Sequence, residues 1–86
     1  MSVQIFFIYA DNCSHCETAL GKIEWAISES GVECKILKFL FSDRVALNIA
    51  RKNGIDDLPG FVIGDAVFVG DDYDREAIVE AIRNAN

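Results

Sequence analysis

The sequence predicts an α/β fold of element order β-α-β-α-β-β-α, in which one mixed four-stranded sheet carries helices on both faces. Three observations predict it. An almost wholly apolar run, Val3 to Tyr9, is followed by a segment of helical periodicity, and that pair of patterns repeats once. Two short apolar segments then flank Gly64-Asp65, a hairpin turn signal. A last amphipathic stretch closes the chain. Strands joined through a helix run parallel, and strands joined by a two-residue turn run antiparallel, so the sheet is mixed.

Each element has its own warrant. Val3 to Tyr9 is rich in β-branched and aromatic residues, as expected of a central strand buried on both faces. Asp11-Asn12 breaks the run and is the expected cap of the first helix. Along that helix Cys16, Ala19, Leu20, Ile23 and Ile27 share one face, and Gly31 stops it. Glu33 to Leu40 alternates in part and reads as the second strand. Ser42-Asp43 caps a second helix, with Val45, Ala46, Ile49 and Ala50 expected inward and Gly54 as its stop. Phe61 to Ile63 and Ala66 to Val69 form the hairpin. Asp71 to Asp74 opens a third helix whose expected inner face is Ala77, Ile78, Ala81 and Ile82.

Size and charge narrow the function. Eighty-six residues, 51% of them hydrophobic, make one domain spanning 1–86 with a modest core. A net charge of -6 argues against nucleic acid, whose phosphates need a basic patch, and against anionic membranes. The apolar run Ile5 to Tyr9 is too short to span a bilayer, and no basic leader precedes it. Three cysteines, Cys13, Cys16 and Cys34, do not resemble a secreted disulfide framework. The expectation is a monomeric cytoplasmic protein.

Chemistry concentrates at Cys13-Ser14-His15-Cys16, which follows a buried strand and opens a helix. Unpaired N–H groups and the positive end of the helix dipole favour thiolate at Cys13, and the thiolate is the species that attacks a disulfide. Cys16, one turn on and on the apolar face, is placed to resolve the mixed disulfide. His15, the sole histidine, adds positive charge when protonated and pushes the pair toward the oxidising end of its range. Asp11 and Glu17 oppose it. Two other readings of the pair stand beside this one. Incidental cysteines need no partner chemistry, and a zinc site needs four ligands from Cys13, Cys16, Cys34 and His15.

The sole proline, Pro59, immediately precedes the third strand. X–Pro is the linkage at which a cis bond is cheap, and a cis turn exposes the main chain of Leu58 to an extended peptide. An ordinary trans proline at a strand start is the plainer alternative.

With strand, C-x-x-C, helix, a proline before a hairpin and a final helix, the chain resembles the thioredoxin superfamily over essentially its whole length. Like glutaredoxins and glutaredoxin-like redoxins, it begins at the strand leading into the cysteines. The resemblance implies a thioredoxin-like fold, with Cys13 as nucleophile, Cys16 as resolving cysteine, Pro59 as a cis-proline facing them and Leu58 pairing with substrate main chain. Cys-Ser-His-Cys is similar to the histidine-containing motifs of disulfide isomerases and periplasmic oxidants. There are departures. Asn12 stands where thioredoxins carry Trp, and Phe7 where they carry a buried aspartate. Ala10-Asp11 replaces the basic residue glutaredoxins usually place before the motif. Val69-Gly70-Asp71-Asp72 only partly echoes the glutathione-binding Gly-Gly-x-Asp-Asp stretch. Asp72 is a candidate either for the amino group of glutathione or for a helix cap. Cys16 in the fourth motif position argues against the iron–sulfur site of monothiol glutaredoxins.

Three further residues stand out. Cys34 is expected to pack as a small hydrophobe. Trp25 lies off the apolar face of the first helix and is expected along its flank, an exposed partner anchor being the alternative. Gly70 suits a tight turn before the last helix.

The resulting expectation is a dithiol oxidoreductase with no bound cofactor. It reduces protein or small-molecule disulfides and is itself re-reduced by glutathione or by a flavin-dependent reductase. A redoxin feeding ribonucleotide reductase fits the length, and a disulfide oxidant or isomerase fits His15. A thioredoxin-like protein-binding module with an idle cysteine pair is the competing class.

Overall fold

A computed structural model describes residues 2–86, and its elements follow the predicted order. They are β1 (Val3–Tyr9), α1 (Ser14–Ser30), β2 (Cys34–Leu40), α2 (Arg44–Asn53), β3 (Gly60–Ile63), β4 (Ala66–Val69) and α3 (Arg75–Ala85). The sheet order is β2-β1-β3-β4. β1 runs parallel to β2, Val3 beside Cys34 and Tyr9 beside Leu40. It runs antiparallel to β3, with Ile8 opposite Gly60, and β3 pairs antiparallel with β4. The two central strands are the most apolar, as burial on both faces requires: all four residues of β3 are buried.

Successive side chains of β1 point to opposite faces. Ile5 and Phe7 face the main core, where they meet Ala19, Ile23 and Ala26 of α1 and Ile78 and Ile82 of α3. Ile8 points the other way, toward Ala46 and Ala50 of α2. Helices therefore cover both faces, α1 and α3 together and α2 alone. Aromatic rings knit the core under the hairpin. Phe61 stacks on Phe68 with centroids 4.7 Å apart and meets Tyr73 edge-on at 5.6 Å.

The helix ends follow local chemistry. Gly31 and Gly54 take left-handed conformations that end α1 and α2 without a Cβ penalty. Asp74 caps α3, accepting from the Glu76 N–H at 3.1 Å. Two inward assignments and one cap assignment do not hold. Val45 is 52% exposed, because the buried stripe of α2 runs through Ala46, with Ile49 and Ala50 half-buried, and Val45 lies about 100° around the helix from Ala46. Ala77 is likewise exposed, and Val79 is buried instead. At the start of α1 the cap is Cys13 itself, not Asp11-Asn12, which form a turn with Asn12 at φ 54°. Among the described residues, no helix is long and apolar enough to cross a membrane.

Candidate functional site

The C-terminal end of β1 delivers the chain into the Asp11-Asn12 turn and then into the first turn of α1. Cys13 occupies the cap position in extended geometry, φ -109° and ψ 104°, so its side chain lies beside the free N–H groups of the helix. Its Sγ accepts a hydrogen bond from the Cys16 N–H at 3.1 Å. Cys13 and Cys16 are joined as a disulfide, their Cα atoms 5.2 Å apart, within the ordinary range for such a bond. Cys13 is half-buried, whereas Cys16 is only 5% exposed and packs in the core. The two sulfurs thus form a reversible dithiol–disulfide couple with one accessible and one sheltered member.

The remaining expected site residues lie on the segment before β3, in the first turn of α1 and on the segment after β4. The Leu58-Pro59 bond is cis, and Pro59 is buried just before β3. Because Gly60 pairs with Ile8, Leu58 and Pro59 extend past the end of β1 on the side where Cys13 emerges. The Pro59 carbonyl accepts from the Gly70 N–H at 2.7 Å, and Gly70 takes a φ of 79°. The bond extends the β3–β4 ladder by one residue pair, and the positive φ of Gly70 bends the chain out of the sheet rather than closing the hydrogen-bonded tight turn expected of it.

His15 is exposed, and its Nδ1 lies 2.9 Å from Oδ2 of Asp71. This hydrogen bond and the Asp71 charge raise the imidazole pKa above its ordinary 6.5; exposure leaves little desolvation to oppose them, and the charge of Asp57 adds a smaller push. Sequence reasoning named Asp11 and Glu17 as the opponents of His15, but the residue that pairs with it is Asp71, 56 positions away. Lys22 fixes that partner in place. Its Nζ donates to the Asp71 carbonyl at 2.5 Å and to the Tyr73 carbonyl at 2.9 Å, and sits 4.9 Å from the Tyr73 ring. Asp72 is exposed and does not cap α3, since Asp74 has that place.

A raised folded pKa means the His15–Asp71 pair stabilises the fold fully below 6.5, and that contribution is lost as pH rises through the folded value. The chain has one histidine, so the ring resonances report it alone. An NMR titration is expected to place the wild-type midpoint above 6.5 and to move it down in Asp71→Asn. A midpoint indifferent to that substitution would remove Asp71 from the site.

Cys34 lies elsewhere. It is half-buried opposite Val3, at the far end of β1 and so about 20 Å from the motif at roughly 3.3 Å per residue. Burial, and then the charge of Glu33, push its thiol pKa up. Its sulfur donates to the Val32 carbonyl at 3.4 Å. The structure therefore does not bring a third cysteine to Cys13, Cys16 and His15. Trp25 packs along the helix flank, its ring covered by the Arg75 guanidinium at 3.9 Å.

No protein-family model matches the sequence, and no curated protein matches it. Solved structures do match its backbone. Thioredoxin from Aeropyrum pernix is 21% identical at a TM-score of 0.69, the match covering 99% of this chain and 76% of that one. Mitochondrial thioredoxin 3 from Saccharomyces cerevisiae, in its oxidized form, is 17% identical at 0.68, covering 96% and 78%. The glutaredoxin-like NrdH-redoxin from Escherichia coli is 22% identical at 0.55, covering 90% and 92%. With its sheet order and a cysteine pair at the first turn of α1, the chain has the thioredoxin fold.

Proposed function

We propose that this protein is a thiol–disulfide oxidoreductase that reduces disulfides of protein substrates through Cys13 and Cys16. The observation that carries the reading is the asymmetry of the couple: Cys13 is accessible at a helix cap, and Cys16 is buried one turn behind it. In the reduced protein, the Cys16 N–H that meets the Cys13 sulfur and the helix N-terminus both favour a thiolate there. That thiolate attacks one sulfur of the substrate disulfide, forming a Cys13–substrate bond and expelling the other substrate sulfur as thiolate. Cys16, deprotonated, attacks the Cys13 sulfur and expels the second substrate thiolate. The protein is left as the Cys13–Cys16 disulfide. Two electrons have passed to the substrate, whose two thiolates take up the two protons the cysteines release.

Leu58, ahead of the buried Pro59, is assigned to main-chain pairing with an extended substrate segment. His15 tunes the couple, its charge partly offset by Asp71. Return of electrons is assigned to glutathione, with Asp72 exposed and free to meet its amino group, or to a flavin-dependent reductase. The neighbour NrdH-redoxin is itself glutaredoxin-like with a thioredoxin-like activity profile, which supports keeping both electron sources. The low, odd cysteine count supports a reducing, cytoplasmic setting.

His15 supports a second reading, that of a disulfide oxidant, because imidazolium beside the couple favours its reduced form. The reduction potential decides between them. Equilibration in glutathione buffers is expected to give about -270 to -200 mV, the range of thioredoxins and glutaredoxins. A value of about -180 to -120 mV assigns the protein to disulfide donation instead. No redox transition at all would leave a protein-binding module with an idle pair.

A further inference from the structure

The main chain assigned to substrate pairing is already engaged. The Leu58 N–H donates to the carboxylate of Asp57, its own neighbour, at 2.8 Å. Asp57 is exposed, and it lies close enough to His15 for its charge to be felt there. A substrate segment that offers a carbonyl to Leu58 must first displace this carboxylate. A displaced carboxylate at a surface loses one hydrogen bond, and a cationic group on the incoming chain restores one.

The surroundings make that compensation matter. Asp11 and Glu17 line the cavity beside Cys13, where Lys38 is the one cation among the lining residues. Lys22 is occupied by two carbonyls. On the other side of Leu58 an open groove runs between Phe41 and Leu47, both about half exposed, with Asp56 beside Asp57 on its wall. The groove is continuous with Leu58. It offers apolar walls for a substrate side chain and an acidic rim for its neighbours.

We infer that Asp57 is a specificity-determining residue that reserves the Leu58 main chain for polypeptide disulfides carrying positive charge and a large apolar side chain beside the cysteine. The inference rests on the redox reading above. An anionic disulfide, glutathione disulfide included, offers Asp57 no cationic partner in exchange and meets the like charges of Asp11, Glu17, Asp56 and Asp57, which outnumber Lys38.

The test uses the full chain, reduced, against three peptide disulfides of equal length. They share a leucine and differ only in flanking Lys, Gln or Glu. Neutral hydroxyethyl disulfide serves as the reference substrate. At low salt the Lys peptide is expected to react at least about tenfold faster than the Glu peptide, within the reach of electrostatic steering. The ratio is expected to fall toward one at about 1 M salt, where the screening length is about 3 Å. Asp57→Asn, which keeps an acceptor oxygen but no charge, is expected to lose most of the discrimination. Asp57→Ala, which frees the N–H, is expected to react faster with the Gln peptide than Asp57→Asn does. Equal Lys and Glu rates at low salt, or undiminished discrimination in Asp57→Asn, overturn the inference while exchange with hydroxyethyl disulfide leaves the redox reading standing. No exchange with hydroxyethyl disulfide overturns both.

Discussion

Cys13→Ser is expected to reduce disulfide exchange to background, a loss of about 10³-fold or more, because a hydroxyl cannot replace the thiolate as nucleophile. Cys16→Ser is expected to behave differently. It retains the first attack and stalls as a mixed disulfide, which mass spectrometry reads as one substrate adduct on Cys13. The two outcomes follow from burial: Cys13 faces an open cavity, and Cys16 is sheltered in the core. Full activity in Cys13→Ser would defeat the assignment, and an adduct on Cys16 in that variant would reverse the roles.

Phe61→Ala is expected to cost about 3–5 kcal/mol, the usual range for deleting a buried phenylalanine. The ring has no exposure, stacks on Phe68 and meets both Tyr73 and Phe7. At about 0.05–0.15 kcal/mol per residue, a chain this long holds roughly 4–13 kcal/mol in all. The substitution thus removes a large share of it. One kcal/mol corresponds to about 4–8 °C at this size, so Tm is expected to fall by about 15 °C or more, read from a thermal melt by circular dichroism. A fall of only a few degrees would mean the hairpin core repacks freely around the missing ring.

The strands were legible because their apolar runs are short, bounded by turn residues and differ between centre and edge. Val3 to Tyr9 matches β1 to the residue. Helix stops were legible because Gly31 and Gly54 supply a backbone conformation other residues resist. The inner faces were less so. A three-turn helix packed on one stripe leaves neighbours such as Val45 and Ala77 about 100° off the contact line, and periodicity alone does not set the phase. The cysteine pair and Pro59 were legible from local order along the chain. Asp71, Lys22 and Asp57 were not. The hydrogen bonds that give Asp71 and Lys22 a role join residues about fifty positions apart, and the Asp57 bond to Leu58 is a side-chain choice that no pattern encodes. The helix cap was misplaced because Asp and Asn are better capping residues than Cys. Here the turn they form carries the sulfur into the cap position instead.

The Lys22 ammonium has a consequence for how this site comes into being. It joins the middle of α1 to the segment after β4, while the Gly70 N–H closes on Pro59 and Asp71 closes on His15. All three ties span the hairpin, so none exists in a nascent chain that ends before it. During synthesis the motif is therefore exposed, as an unrestrained dithiol, long before its surroundings arrive. The cap geometry of Cys13 is local to α1, but the pairing of His15 with Asp71 and the closure of Gly70 on Pro59 are acquired only when the last third of the chain docks. The titration of His15 is in that sense a reporter of completed topology, one that distinguishes the folded molecule from a fragment carrying the same four residues.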